Sequence, residues 1–196
     1  MPLWGATDSD ESKPKNLTTA EKKEVYATGG GWVREAGSIW SGNDNASADP
    51  EVLVAISNLS TSLGAADVTE VEWITTTADK SAGFTLSVRV RYNEPVAVTG
   101  SPTLAVTNGN EGSGSGRGPH TLVYASGTGS NELVFSLAIA AANAATNAND
   151  VLSIGAQNIL LPGGATMKDA SGTDTNSAVA ISGGQGTAAG TITVVA

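Results

Sequence analysis

His120 is the only histidine in the 196 residues and cysteine is absent, so few groups could do acid–base or nucleophilic chemistry. A Ser-His-Asp triad would have to hang on a histidine beside a glycine-rich loop, where the spacing supplies neither nucleophile nor orienting acid. A zinc site lacks its ligands. Gly112-Ser113-Gly114-Ser115-Gly116 has the composition of a phosphate cradle, but no Lys-Ser/Thr follows it and no helix signal comes after. Asp169 and Asp174, in the run Asp169-Ala170-Ser171-Gly172-Thr173-Asp174, could offer oxygen ligands to calcium. The EF-hand spacing is incomplete there, and Asp-Ser-Gly runs are also ordinary turn chemistry. Glu70 and Glu72 share one face of a predicted strand and read as solvated surface. Three Asn-x-Ser/Thr sequons, at Asn16, Asn45 and Asn58, matter only in a secreted eukaryotic protein. The expectation is a protein that is not an enzyme and needs no cofactor.

Lys and Arg number 10 against 19 Asp and Glu, a formal net charge of −9. Such a field repels phosphate backbones, which argues against nucleic acid and against an anionic membrane surface as partners. No window is apolar for long enough to span a bilayer. The opening MPLWGATDSDESKPK has no apolar run of the kind a secretory signal carries, so none is expected.

The elements that must position any site are β-strands. The 24 glycines, with abundant Thr, Ser, Ala and Asn, suit an all-β chain with many tight turns. The organising stretch is Phe84 to Val106. Phe84, Leu86, Val88, Val90 and Tyr92 alternate with Thr85, Ser87, Arg89 and Arg91, which predicts a strand apolar toward a core and charged toward water. Asn93-Glu94-Pro95 is expected to break the pairing, because proline lacks a ladder donor. Shorter strands follow at 96–98 and 103–107. Val68 to Ile74, Thr121 to Ala125, Glu132 to Ile139 and four later apolar runs complete the pattern, with turn signals at sandwich spacing. The reading is a β-sandwich over residues 67–196, with 51–66 as a connecting strand and linker.

Residues 1–50 read as an N-terminal docking arm. Thr18-Thr19-Ala20-Glu21 fits a capping box, followed by a short helix over Ala20 to Tyr26 that Gly29-Gly30-Gly31 ends. Trp4, Trp32 and Trp40 sit in a segment with almost no aliphatic core of its own. The indoles could fold back onto the β domain, or bury into a partner, since tryptophan is enriched at interface hot spots. On the second reading Trp4, Tyr26, Trp32 and Trp40 are the anchors.

Glu94-Pro95-Val96, the Gly100 to Leu104 strand, the Tyr124 to Phe135 hairpin and the Leu152 to Gly172 stretch together resemble a bacterial Ig-like repeat. The resemblance covers about residues 67–185 and implies an Ig-like β-sandwich of the kind found in surface proteins and adhesins. The opening Met-Pro-Leu-Trp-Gly, the run from Glu21 to Val33 and the closing Gly186 to Val194 are similar to virion structural proteins of T4-like marine phages, especially those infecting cyanobacteria. That resemblance implies a virion protein assembled in the host cytoplasm in many copies or as a homo-oligomer. Its implied partners are capsid or other virion proteins, and its first implied role is that of a capsid decoration protein. The alternatives are a neck, tail or fibre component, or an adhesin module for host attachment. In the last case the loop after strand 103–107 would contact a host glycan or protein, with Asn108, Arg117 and His120 at its edges.

Overall fold

The alternation beginning at Phe84 grows into the spine of the molecule. The computed structural model describes residues 13–110, 118–141, 143–170 and 176–196. Trp4, Arg117 and Asp174, named above as anchor, loop residue and ligand, lie outside the described residues. Four strands come first in chain order, β1 (Val25–Thr28), β2 (Gly31–Arg34), β3 (Glu51–Ala55) and, after helix α1 (Leu59–Leu63), β4 (Val68–Trp73). β5 (Ala78–Asp79), β6 (Phe84–Thr99), β7 (Thr103–Asn108), β8 (His120–Ser126) and β9 (Ser130–Ile139) follow. β10 (Val151–Ser153), β11 (Gln157–Asn158), β12 (Thr166–Asp169), β13 (Ala180–Ile181), helix α2 (Gly183–Ala189) and β14 (Thr191–Val195) close the chain.

β6 runs unbroken for 16 residues, through the Asn93-Glu94-Pro95 stretch expected to interrupt it. The pairing with β9 shifts register between Arg91 and Val96, so the missing amide of Pro95 falls where the ladder is already irregular. The other edge of β6 is shared. β4 pairs with its first half, from Val88 to Tyr92, and β12 with its second, from Val96 to Thr99.

The fold is mostly β, as expected; nine of the strands form a large curled mixed sheet, a half-barrel, and not clearly the Ig-like sandwich expected, while β11 and β13 make a separate two-stranded pair. The order of the large sheet is β12-β6-β9-β8-β7-β10-β14-β5, with β4 also on β6. β10 joins β7 and carries β14, so the later strands extend the same sheet. The far end curls back to β4: Trp73 Nε1 donates to the Gly190 carbonyl at 3.2 Å and Gln185 Nε2 to the Val68 carbonyl at 2.7 Å. A strand's alternation records only that one face is covered, and curvature covers it as well as a second sheet does. Inside the curl, Leu86, Val88, Val90, Leu122, Leu133 and Phe135 are fully buried.

The N-terminal segment departs further from expectation. The capping box is present, Glu21 N donating to Thr18 Oγ1 at 3.2 Å and Thr18 N to Glu21 Oε2 at 2.8 Å. Only a single 3-10 turn follows, Glu21–Glu24, and Val25 and Tyr26 belong to β1. β1, β2 and β3 form a small antiparallel sheet. Val25, Ala27, Trp32 and Leu59 make its core, with Leu53, Val54 and Ile56 packed against them. Residues 13–66 are therefore a folded unit with its own core, where an extended arm and a linker were expected. Gly31 allows β3 to pair against β2, since its φ is +131° and a Cβ there would sit 2.0 Å from the Val54 carbonyl oxygen.

Candidate docking site

Two adjacent large apolar side chains of the N-terminal unit face outward. Ile39 is 87% exposed and Trp40 is 48% exposed. Their loop is gripped from beneath. The buried carboxylate of Glu24, the last residue before β1, accepts the Ile39 amide at 3.2 Å and the Trp40 amide at 3.1 Å. Buried Arg34, at the end of β2, donates from Nη1 to the Trp40 carbonyl at 2.7 Å and to Glu51 Oε2 at 3.2 Å. Glu24 lies just before Val25, which pairs with Arg34, so the hairpin register itself places the two gripping charges together. The indole is presented on a fixed backbone, which lowers the ordering cost that a partner would otherwise meet on binding it.

A polar cleft of about 670 Å³ opens beside this loop, lined in part by Ile39, Trp40, Glu35, Glu72, Arg89 and Arg91. Arg91 is its hub. The side chain was expected to face water, yet the N-terminal unit covers it. Its guanidinium donates to both Glu35 oxygens, at 2.9 and 2.8 Å, to Glu72 Oε1 at 3.1 Å and to the Lys23 carbonyl at 3.1 Å. Glu132 Oε1 lies 2.8 Å from its Nη2. Burial alone would lower the Arg91 pKa, but Glu35, Glu132 and Glu72 outweigh it and hold the group above its ordinary value. Glu132 is pushed up by burial first and then by Glu35, against the pull of Arg91 and Arg89. Glu70, expected on open surface, pairs with Lys23 of the N-terminal unit.

The remaining named residues divide clearly. Trp32 is fully buried in the small core, so its indole faces its own chain and is not offered to a partner. Tyr26 is half-buried near the hub, and its phenol is pushed up by burial, then by Glu35 and Glu132. Asn108 and His120 were expected at the edges of an outer loop; both are buried. Asn108 Nδ2 donates to Asp150 Oδ2 at 2.6 Å, and His120 Nε2 lies 3.1 Å from Thr146 Oγ1. These side chains tie the ends of β7 and β8 to the 143–150 connection. Asp169 is buried at the end of β12, against the second half of β6.

Glu24, Arg34 and Glu35 went unnamed in the sequence reading, and Arg91 was placed only as a solvent-facing residue. The signal that could have found them is the charge at each end of a glycine-turned hairpin, once Gly29-Gly30-Gly31 is read as a turn. Among the described residues no helix is long and apolar enough to cross a membrane. Compared with known proteins, the chain matches no family model, no curated protein and no solved structure.

Proposed function

We propose that the protein is a non-enzymatic structural component of a phage virion, most simply a capsid decoration protein that docks through its N-terminal unit and displays an Ig-like β domain. The observation that carries the docking half is the clamped, outward-facing Ile39–Trp40 loop. A large aromatic held on rigid backbone beside a polar cleft has the character of an interface hot spot. The virion half rests on the resemblance of the opening and closing segments to phage structural proteins. The Ig-like half rests on the resemblance carried by Glu94-Pro95-Val96, the Tyr124 to Phe135 hairpin and the Leu152 to Gly172 stretch. Repetition over a lattice would multiply a modest contact into firm attachment.

The test combines localisation with one variant. Antibody against the β domain should label the heads of intact virions. The double variant Ile39→Ser/Trp40→Ala should keep its fold, since both side chains face solvent, and should fail to join the particles. Labelling of the neck or tail would move the partner and keep the docking loop. Full incorporation of the double variant, or no labelling of any particle, would overturn the proposal.

A further inference from the structure

A cleft of about 400 Å³ lies on the seam between the N-terminal unit and the β domain. Lys13, Lys22 and Lys23 line one side of it, three of the ten Lys and Arg residues of a chain whose net charge is −9. β4 and α2 supply the other side, with Glu70, Val71 and Ala188. Cations gathered in so acidic a chain are matched either by acids at close range or by an anion from outside.

The acids at close range are already engaged. Lys23 holds Glu70, and Glu35 is bound by Arg91 at 2.8 Å. Half-buried Lys13 donates from Nζ to the Lys22 carbonyl at 2.7 Å. Among the described residues neither Lys13 nor Lys22 has a carboxylate within ion-pairing distance, so two of the three N–H bonds of the Lys13 ammonium lack a protein acceptor. Burial lowers the Lys13 pKa to about 8; Glu35 and Glu70 oppose that shift, while Arg91 and Lys22 add to it. An ammonium so displaced is short of negative charge. Gln185, also on the cleft, cannot supply it: its Oε1 accepts the Ser182 amide at 2.8 Å and its Nε2 donates to the Val68 carbonyl at 2.7 Å.

We propose that this cleft binds a small organic carboxylate, its anionic end between Lys13 and Lys22 and its apolar body against Val71 and Ala188. The volume falls in the range of sites for small organic ligands and is far larger than an inorganic ion needs. A single negative charge suits it, because Glu70 borders the same cleft and would repel a second. The carboxylate gives the Lys13 ammonium the acceptor that the chain withholds and favours its charged form. Since both sides of the seam contribute, the bound anion also fastens the N-terminal unit to the β domain.

The experiment titrates sodium hexanoate into the full chain by calorimetry. The expected result is saturable binding with a dissociation constant of about 1 mM near pH 7. The affinity should fall about tenfold by about pH 9.5, where Lys13 has lost its proton. Hexanamide has the same shape without the charge and should bind about tenfold more weakly than hexanoate. Lys13→Met and Lys22→Met should each weaken hexanoate by a similar factor, and if either fails to fold, the amide comparison on the parent chain still decides. Hexanamide as tight as hexanoate, or Lys13→Met with undiminished affinity, would overturn the site. So would inorganic phosphate binding as tightly as hexanoate, or a parent chain that gives no saturable heat.

Discussion

Replacing Arg91 by methionine should cost far more than replacing its neighbour Arg89, although both belong to the same row of the same strand. The Arg91 side chain is 9% exposed and has Glu35, Glu72 and Glu132 within 3.1 Å. Removing one partner from a buried ionic cluster leaves uncompensated charge, at a cost of about 3–5 kcal/mol. For a chain of this length that corresponds to a fall in Tm of about 12 °C. The Arg89 side chain is 30% exposed, and its bridges to Glu72 at 3.1 Å and Glu132 at 3.2 Å are partly screened by solvent. Arg89→Met should therefore cost about 1 kcal/mol or less. Urea titration is the assay of choice, because guanidinium salt would screen the charges under test. The pH dependence has a defined sign. Glu132 is already pushed up by burial and Glu35, and loss of Arg91 pushes it further. A carboxyl raised in the folded state contributes stability at low pH and loses it as pH rises. The Arg91→Met deficit should thus be largest near pH 8 and narrow toward pH 5. Equal costs for the two variants within about 0.5 kcal/mol, or a deficit that widens in acid, would refute the hub.

Two further outcomes follow from single positions. Burial lowers the Lys13 pKa from 10.5 to about 8, so the folded state holds its proton less tightly than the unfolded chain. The parent should gain stability relative to Lys13→Met as pH rises from 8 to 10.5, read as the difference between their urea midpoints. Gly186→Ala should destabilise by about 2 kcal/mol or more, although alanine in an ordinary helix gains about 1 kcal/mol over glycine. A Cβ there would stand 2.1 Å from the Ile154 carbonyl oxygen, forcing α2 off the sheet; a stabilised variant by thermal melting would contradict that packing.

Much of the β domain was legible because alternation is a local property. Phe84 to Tyr92 and Leu133 to Ile139 face the core as their period of two requires. What covers the opposite face is a long-range matter, and so Arg91, outward by pattern, turned out to be sealed by the N-terminal unit. The hairpin of β1 and β2 was missed because each strand is four residues long, too short for periodicity, and because three glycines end a helix as readily as they turn a hairpin. Asn108 and His120 were placed by their nearness to a glycine-rich loop, yet hydrogen-bonding side chains at strand ends are often drawn inward to satisfy a neighbouring connection. The capping box at Thr18 was read correctly and the helix after it was not. A cap satisfies the first free amides, but a short run with Val25 and Tyr26 in it gains more as a buried strand.

The length of β6 has a mechanical consequence. A tug on the Ile39–Trp40 loop passes through Glu24 and Arg34 into the hairpin, and then across the Glu35–Arg91 contact into the longest strand of the molecule. That strand is laced to β9 along one edge and to β4 and β12 along the other. Its ladder bonds lie across the strand axis, so tension along the axis strains many of them together instead of parting them one after another. Under such a pull the ionic joint between the two units is expected to open before the ladder of β6 parts.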